Sequence, residues 1–126
     1  ALAADCRDFV ASYHSFWERN SSLLHLRNRL ADGHDDRMMR HRIEATQPVI
    51  RLLAAQMDGD PDDNDAAPSA MAAMLMTGIE RASTVATDPG FSGYGLAVRP
   101  ARFLLPAARL LELGIRDCRA LARQSP

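Results

Sequence analysis

A chain of 126 residues that is 47% hydrophobic and 25% charged is sized for a single core, and residues 1–126 read as one globular domain. Its net charge of −1 excludes a general electrostatic attraction to nucleic acid or to an acidic membrane. No apolar run is long enough for a bilayer span, the N-terminus lacks a basic region followed by an apolar stretch, and Cys6 and Cys118 form no CxxC pair, which fits a reducing cytoplasm better than a disulfide framework. The chain opens ALAADC without Met, as a fragment of a longer protein would.

The first helix is predicted from Asp5, an N-cap residue, to Ala31, where Asp32-Gly33 stops it. At about 100° per residue, Phe9, Tyr13, Phe16, Trp17, Leu23, Leu24 and Leu30 share one broad face. Asn20 and Arg27 occupy the middle of that face, while His14, Glu18 and His25 point away from it. The second helix starts at Asp35 or Asp36 and ends near Met57, with Met38, Met39, Ile43, Val49, Ile50 and Leu53 on one side. Thr46 sits near the centre of that side with Arg42 beside it. Pro48 removes an amide donor and crowds the preceding turn, which predicts a kink or a break.

The stretch DGDPDDNDAAP reads as a solvated acidic loop. The third helix runs from Pro68 in its first turn to Ala86 or Thr87. Glu80 and Arg81 are its only charges, so it is apolar nearly all round and must be covered on more than one side. DPGFSGYG forms a Gly-rich loop, and a fourth helix spans Pro100 to Arg123 with a broad apolar surface. No segment alternates with a period of two, which makes the domain all-α, an antiparallel bundle of four to six helices.

Catalytic and metal signatures fail on inspection. Asp58, Asp60 and Asp62 are spaced like calcium ligands, but Asp63 replaces the Gly of the sharp turn and Ser69 the bidentate Glu. Glu18, Glu44, Glu80 and Glu112 fall one to a helix, yet none is followed at the third position by His, as a di-metal bundle requires. The histidines have no metal-ligand spacing, and no nucleophile or phosphate-loop motif occurs. The sequence therefore points to no enzyme activity and no cofactor.

The polar residues on apolar faces carry the remaining information. An unpaired buried amide or hydroxyl costs about 1–3 kcal/mol, comparable to what burying one Leu or Phe contributes, so each needs a partner. Either Asn20, Arg27, Arg42 and Thr46 satisfy one another or Glu80 within a plain core, or they orient a ligand in a mostly apolar cavity. Asn20 beside Tyr13, Phe16 and Trp17, facing a Met-rich helix that can adapt to a ligand, is the better ligand contact of the set. Arg27 is long enough to reach a carboxylate or the surface.

Taken together, YHSFWERNSSLLHLRNRLADGHDDRMMRHR, PVIRLLAAQM, PSAMAAMLMTGIERAS and RFLLPAARLLELGIRDC resemble, in order and pattern across nearly the whole chain, the C-terminal regulatory domain of tetracycline-repressor-like (TetR) transcription factors. The resemblance implies an all-helical, homodimeric domain that binds a small hydrophobic effector between helices and dimerises through its last two long helices. It places Tyr13, Phe16, Trp17, Asn20, Leu24, Thr46, Val49, Ile50, Leu53, Met71, Met74 and Leu75 toward the cavity, and Thr77, Arg81, Leu104, Leu105, Ala108 and Ile115 near the dimer interface. The family reads operator DNA through a helix-turn-helix domain, to which no part of this sequence corresponds. A helical interaction module without a cavity is the chief alternative reading.

Overall fold

The structure, a computed structural model, describes residues 1–93 and 100–124. Within them the chain forms α1 (Leu2–Arg19), α2 (Ser21–Asp32), α3 (Asp36–Gln56), α4 (Ala67–Thr87), α5 (Pro89–Gly93) and α6 (Pro100–Gln124). There is no strand among the described residues, so the domain is an all-α bundle.

The predicted first helix is two helices. Asn20 alone separates them, with φ −122° and ψ 18°, and its side-chain Nδ2 donates to the carbonyl of Phe16 at 2.9 Å. Short amides compete for nearby backbone groups in this way and so favour helix ends over helix interiors. The bend lets the two pieces find different partners: α1 packs chiefly on α6, and α2 packs on α3. The helix begins three residues earlier than predicted, at Leu2, so Asp5 lies in its first turn rather than at the cap.

Asp35 caps α3 by accepting from the backbone N–H of Met38 at 3.1 Å. Pro48 neither breaks nor ends this helix. Ile43, Glu44 and Ala45 are exposed one turn earlier, so the carbonyl that loses its donor can turn to water. Asp58, in the left-handed region at φ 57°, then ends the helix. The acidic loop closes back on itself, since a side chain at Gly59 would meet Pro68 Cβ at 2.5 Å, and Arg51 holds Asp62 at 2.7 Å. Pro89–Gly93 forms a short helix where the Gly-rich loop was expected; Tyr94 and Gly95 of that loop lie outside the described residues.

The core runs through α1, α3, α4 and α6. It contains Cys6, Val10, Leu53, Ala54, Met57, Ala72, Met76, Ile79, Ala108, Leu111, Ile115 and Cys118. At the contact of α4 with α6, Gly114 leaves room for Leu75, whose Cδ1 lies 2.7 Å from where a Cβ would stand. Both cysteines are buried and free, and burial pushes their thiols above the ordinary range. No helix of the described residues is long and apolar enough to cross a membrane.

His14, expected to point away from the apolar face, and the acidic residue Glu112 are both inside. His14 is only 3% exposed, set edge-on to Phe103 with ring centroids 5.2 Å apart and with Nε2 2.8 Å from Glu18 Oε1. Glu112 is 7% exposed and is held by Arg116 at 2.9 Å and Arg109 at 3.3 Å. The hydrogen bond from Arg116 in particular keeps its carboxyl below the usual range. Both lie on faces covered by the α1–α6 contact, which a count of apolar residues on either helix alone does not register.

Candidate functional site: an aromatic cavity with two uncommitted charges

A cavity of about 440 Å³ opens where α1, α2, α3 and α4 converge. This size falls within the range of about 300–1,000 Å³ typical of small-molecule sites. Tyr13, Phe16 and Trp17 come from the end of α1, Leu24 from α2, Thr46 and Val49 from α3, and Met76 from α4. The bend at Asn20 makes this possible, because a straight helix would carry Leu24 along the line of Trp17 rather than across the gap from it. Trp17 is 1% exposed; its Nε1 donates to the Tyr13 hydroxyl at 3.1 Å, and His25 meets its ring edge-on. Buried indole N–H groups require such a partner.

Polar groups enter the cavity from three helices. Arg27 is 9% exposed and donates through Nε and Nη2 to Oδ1 of its neighbour Asn28 at 3.2 and 3.1 Å. Glu80 and His41 also line the cavity. Desolvation lowers the pKa of Arg27, and the nearby Glu80 acts in the opposite sense. Yet Arg27 and Glu80 do not approach within the 4.0 Å of an ion pair. Tyr13 is pushed up to about 12, first by burial, with Glu80 adding to the shift and the Trp17 hydrogen bond opposing it.

The expected site residues divide. Tyr13, Phe16, Trp17, Leu24, Thr46 and Val49 meet at the cavity. Thr46 is satisfied within its own helix, donating to the Ile43 carbonyl at 3.0 Å, so its methyl is free for the cavity. Asn20 is not in the cavity; it lines an adjoining groove of about 250 Å³ with Leu23 and Met38, and its amide is committed to the helix junction. Leu53 is core and borders a different recess. Ile50 packs half-buried against the core, as do Met71 and Leu75; the last two face Gly114. Met74, 72% exposed, points outward.

Arg27, His41, Ala45, Met76 and Glu80 complete the walls and were not assigned to them from sequence. Arg42, expected beside Thr46 in the core, instead reaches back to Asp32 at 2.9 Å and ties α3 to α2.

A second cleft, of about 480 Å³, lies between α2 and the end of α4. Its lining residues are nearly all of polar type, with Ser21, Ser22, Asn28, Arg29, Asp32 and Asp88 among them, and His25 is engaged there with Thr87 at 3.0 Å. No Phe, Tyr, Trp, Leu, Ile, Val or Met side chain lines it, and such side chains predominate in small-molecule sites. No cluster of three or more potential metal ligands occurs among the described residues.

No known protein family model matches this chain, and no curated protein or solved structure matches it.

The outer surfaces of α4 and α6 form the other feature of note. Among the expected interface residues, Ala108 and Ile115 are 3% and 2% exposed within the single chain and belong to its core, and Leu104 packs half-buried against it. Ala108 and Ile115 are thus covered within the single chain, while Leu104 keeps part of its surface open. Thr77, Arg81 and Leu105 are exposed. The apolar groove between the two helices is lined instead by Met74, Gly78, Ala82, Phe103, Pro106 and Leu110, and nothing would obstruct a Cβ at Gly78.

Proposed function

We propose that this chain is the small-molecule-sensing, dimerising regulatory domain of a transcriptional regulator of the tetracycline-repressor type, a repressor whose operator is read by a separate helix-turn-helix domain. The observation that carries the reading is the cavity at Trp17: a largely aromatic and aliphatic chamber with a few polar groups, lined by six of the twelve residues that the family resemblance implies for the effector. Dimerisation is supported by the exposed apolar groove of α4 and α6. In the intact regulator, an effector acts by binding one of two dimer states better than the other.

Trp17 is the only tryptophan, so its fluorescence reports on the cavity directly. Titration with N-phenyl-1-naphthylamine, an apolar fluorophore, is expected to give saturable energy transfer from Trp17 at one dye per chain. Val49→Phe, which fills the cavity, is expected to abolish the transfer without changing the helical circular dichroism. A response that never saturates, or one that Val49→Phe leaves intact, overturns the cavity reading in favour of a helical interaction module. Sedimentation at micromolar concentration is expected to give a dimer that Leu110→Glu dissociates; a monomer in both proteins removes the dimeric part.

A further inference from the structure

Arg27 and Glu80 stand out because a nine-tenths buried guanidinium and a half-buried carboxylate share one cavity without touching. Two guanidinium nitrogens of Arg27 are spent on Asn28. Nη1 has no acceptor and the Glu80 carboxylate has no donor among the described residues. The Tyr13 hydroxyl accepts from Trp17, while its own proton has no acceptor among the same residues. These atoms open onto the cavity and are not sealed inside protein, where the side-chain atoms without a partner belong to His14 and Ser83; polar groups that converge on a mostly apolar cavity mark a site for complementary polar atoms.

Resting on the cavity reading above, we infer that the ligand is an uncharged amphipathic molecule whose polar head both accepts and donates, with a primary carboxamide as the simplest case. Its carbonyl oxygen accepts from Arg27 Nη1 and the Tyr13 hydroxyl, and its N–H donates to Glu80. Its apolar body lies against Phe16, Trp17, Leu24, Val49 and Met76. The charges on the walls argue for the neutral head. A carboxylate would gain Arg27 but be driven into a cavity that already holds the Glu80 anion, and an ammonium would meet the reverse problem with Arg27; like charges in a partly desolvated site repel far more than they do in water. A neutral donor–acceptor head satisfies both walls.

The test uses four probes with one chain length: decanamide, N,N-dimethyldecanamide, decanoate and decylammonium, each titrated against Trp17 fluorescence at neutral pH. Wild-type protein is expected to bind decanamide at least about tenfold more tightly than either ion, and the dimethyl amide, which has lost its donors, more weakly than decanamide. Glu80→Gln is expected to shift the preference toward decanoate, and Arg27→Met toward decylammonium. Glu80 is half-exposed, so Glu80→Gln serves as the deciding variant where loss of the buried Arg27 unfolds the chain. Equal or tighter binding of an ion by the wild type, or an unchanged order in Glu80→Gln, overturns the neutral-head inference and leaves the cavity reading in place. Absence of a saturable response to all four probes overturns both.

Discussion

Gly78 and Gly114 form a matched pair, since each lies inside a long helix and one faces open space while the other faces a neighbour. Converting either to Ala removes the same helix penalty, about 0.5–1 kcal/mol. At Gly78 nothing lies within 4 Å of the new methyl, so the full gain should appear as added stability. At Gly114 the methyl would stand 2.7 Å from Leu75 Cδ1, with Met71 Cγ and Sδ at 3.6 and 3.7 Å. Inserting a methyl into a packed contact costs about 1–3 kcal/mol. The first atom met is the end of a side chain that can rotate, which favours the lower half of that range. Subtracting the common helix term, Gly114→Ala should be less stable than Gly78→Ala by about 1–2 kcal/mol. Urea unfolding at two protein concentrations measures the difference and separates it from any change in association. Equal gains at the two positions would refute the close approach of α4 to α6 on which the core depends.

Two further outcomes follow from the cap and from the cavity. Asp35→Ala should cost about 1 kcal/mol in urea unfolding by freeing the Met38 amide, while Asp35→Asn, also a good cap, should lose little; equal losses would show that the cap bond is not what matters. Tyr13, held near 12, should give a late phase in an alkaline titration of tyrosinate absorbance that Tyr13→Phe removes. Because its folded value lies above the unfolded one of about 10, the native state keeps a proton that the unfolded chain gives up. Tyr13 therefore contributes fully below pH 10, and its contribution falls as pH rises from there to about 12. A variant whose stability falls as steeply in that window would exclude Tyr13 as the cause.

Helix positions were legible in the sequence wherever a breaker or a cap marks them, as at Gly33, Asp35 and Pro100. Angular position was harder to read. A wheel drawn through Asn20 assumes a straight helix, so residues beyond it are assigned to a face that the bend rotates away. The same stretch contained a better signal: Cys6, Val10, His14 and Trp17, spaced four, four and three, form the buried stripe of α1. His14 hid it because imidazole does not count as apolar. On α6, the family resemblance implies Ala108 and Ile115 near the dimer interface, whereas apolar residues surround much of that helix and the positions of α1 and α4 decide which of them is core. The charges of Arg27 and Glu80 suit them to pair, but that they face a common space without pairing depends on the distance between α2 and α4, which no local pattern encodes.

The placement of α4 has a consequence for how this protein can diverge. Met76 and Glu80 wall the cavity, Ala72, Ile79 and Ser83 fill the interior, and Met74, Thr77 and Gly78 face outward, all on one rod of twenty-one residues. Adjacent letters of that stretch thus answer to three different selective pressures. On the ligand-sensing reading proposed above, changes at 76 and 80 should accumulate together among descendants while 79 and 83 stand still, and the outer positions should keep a tempo of their own.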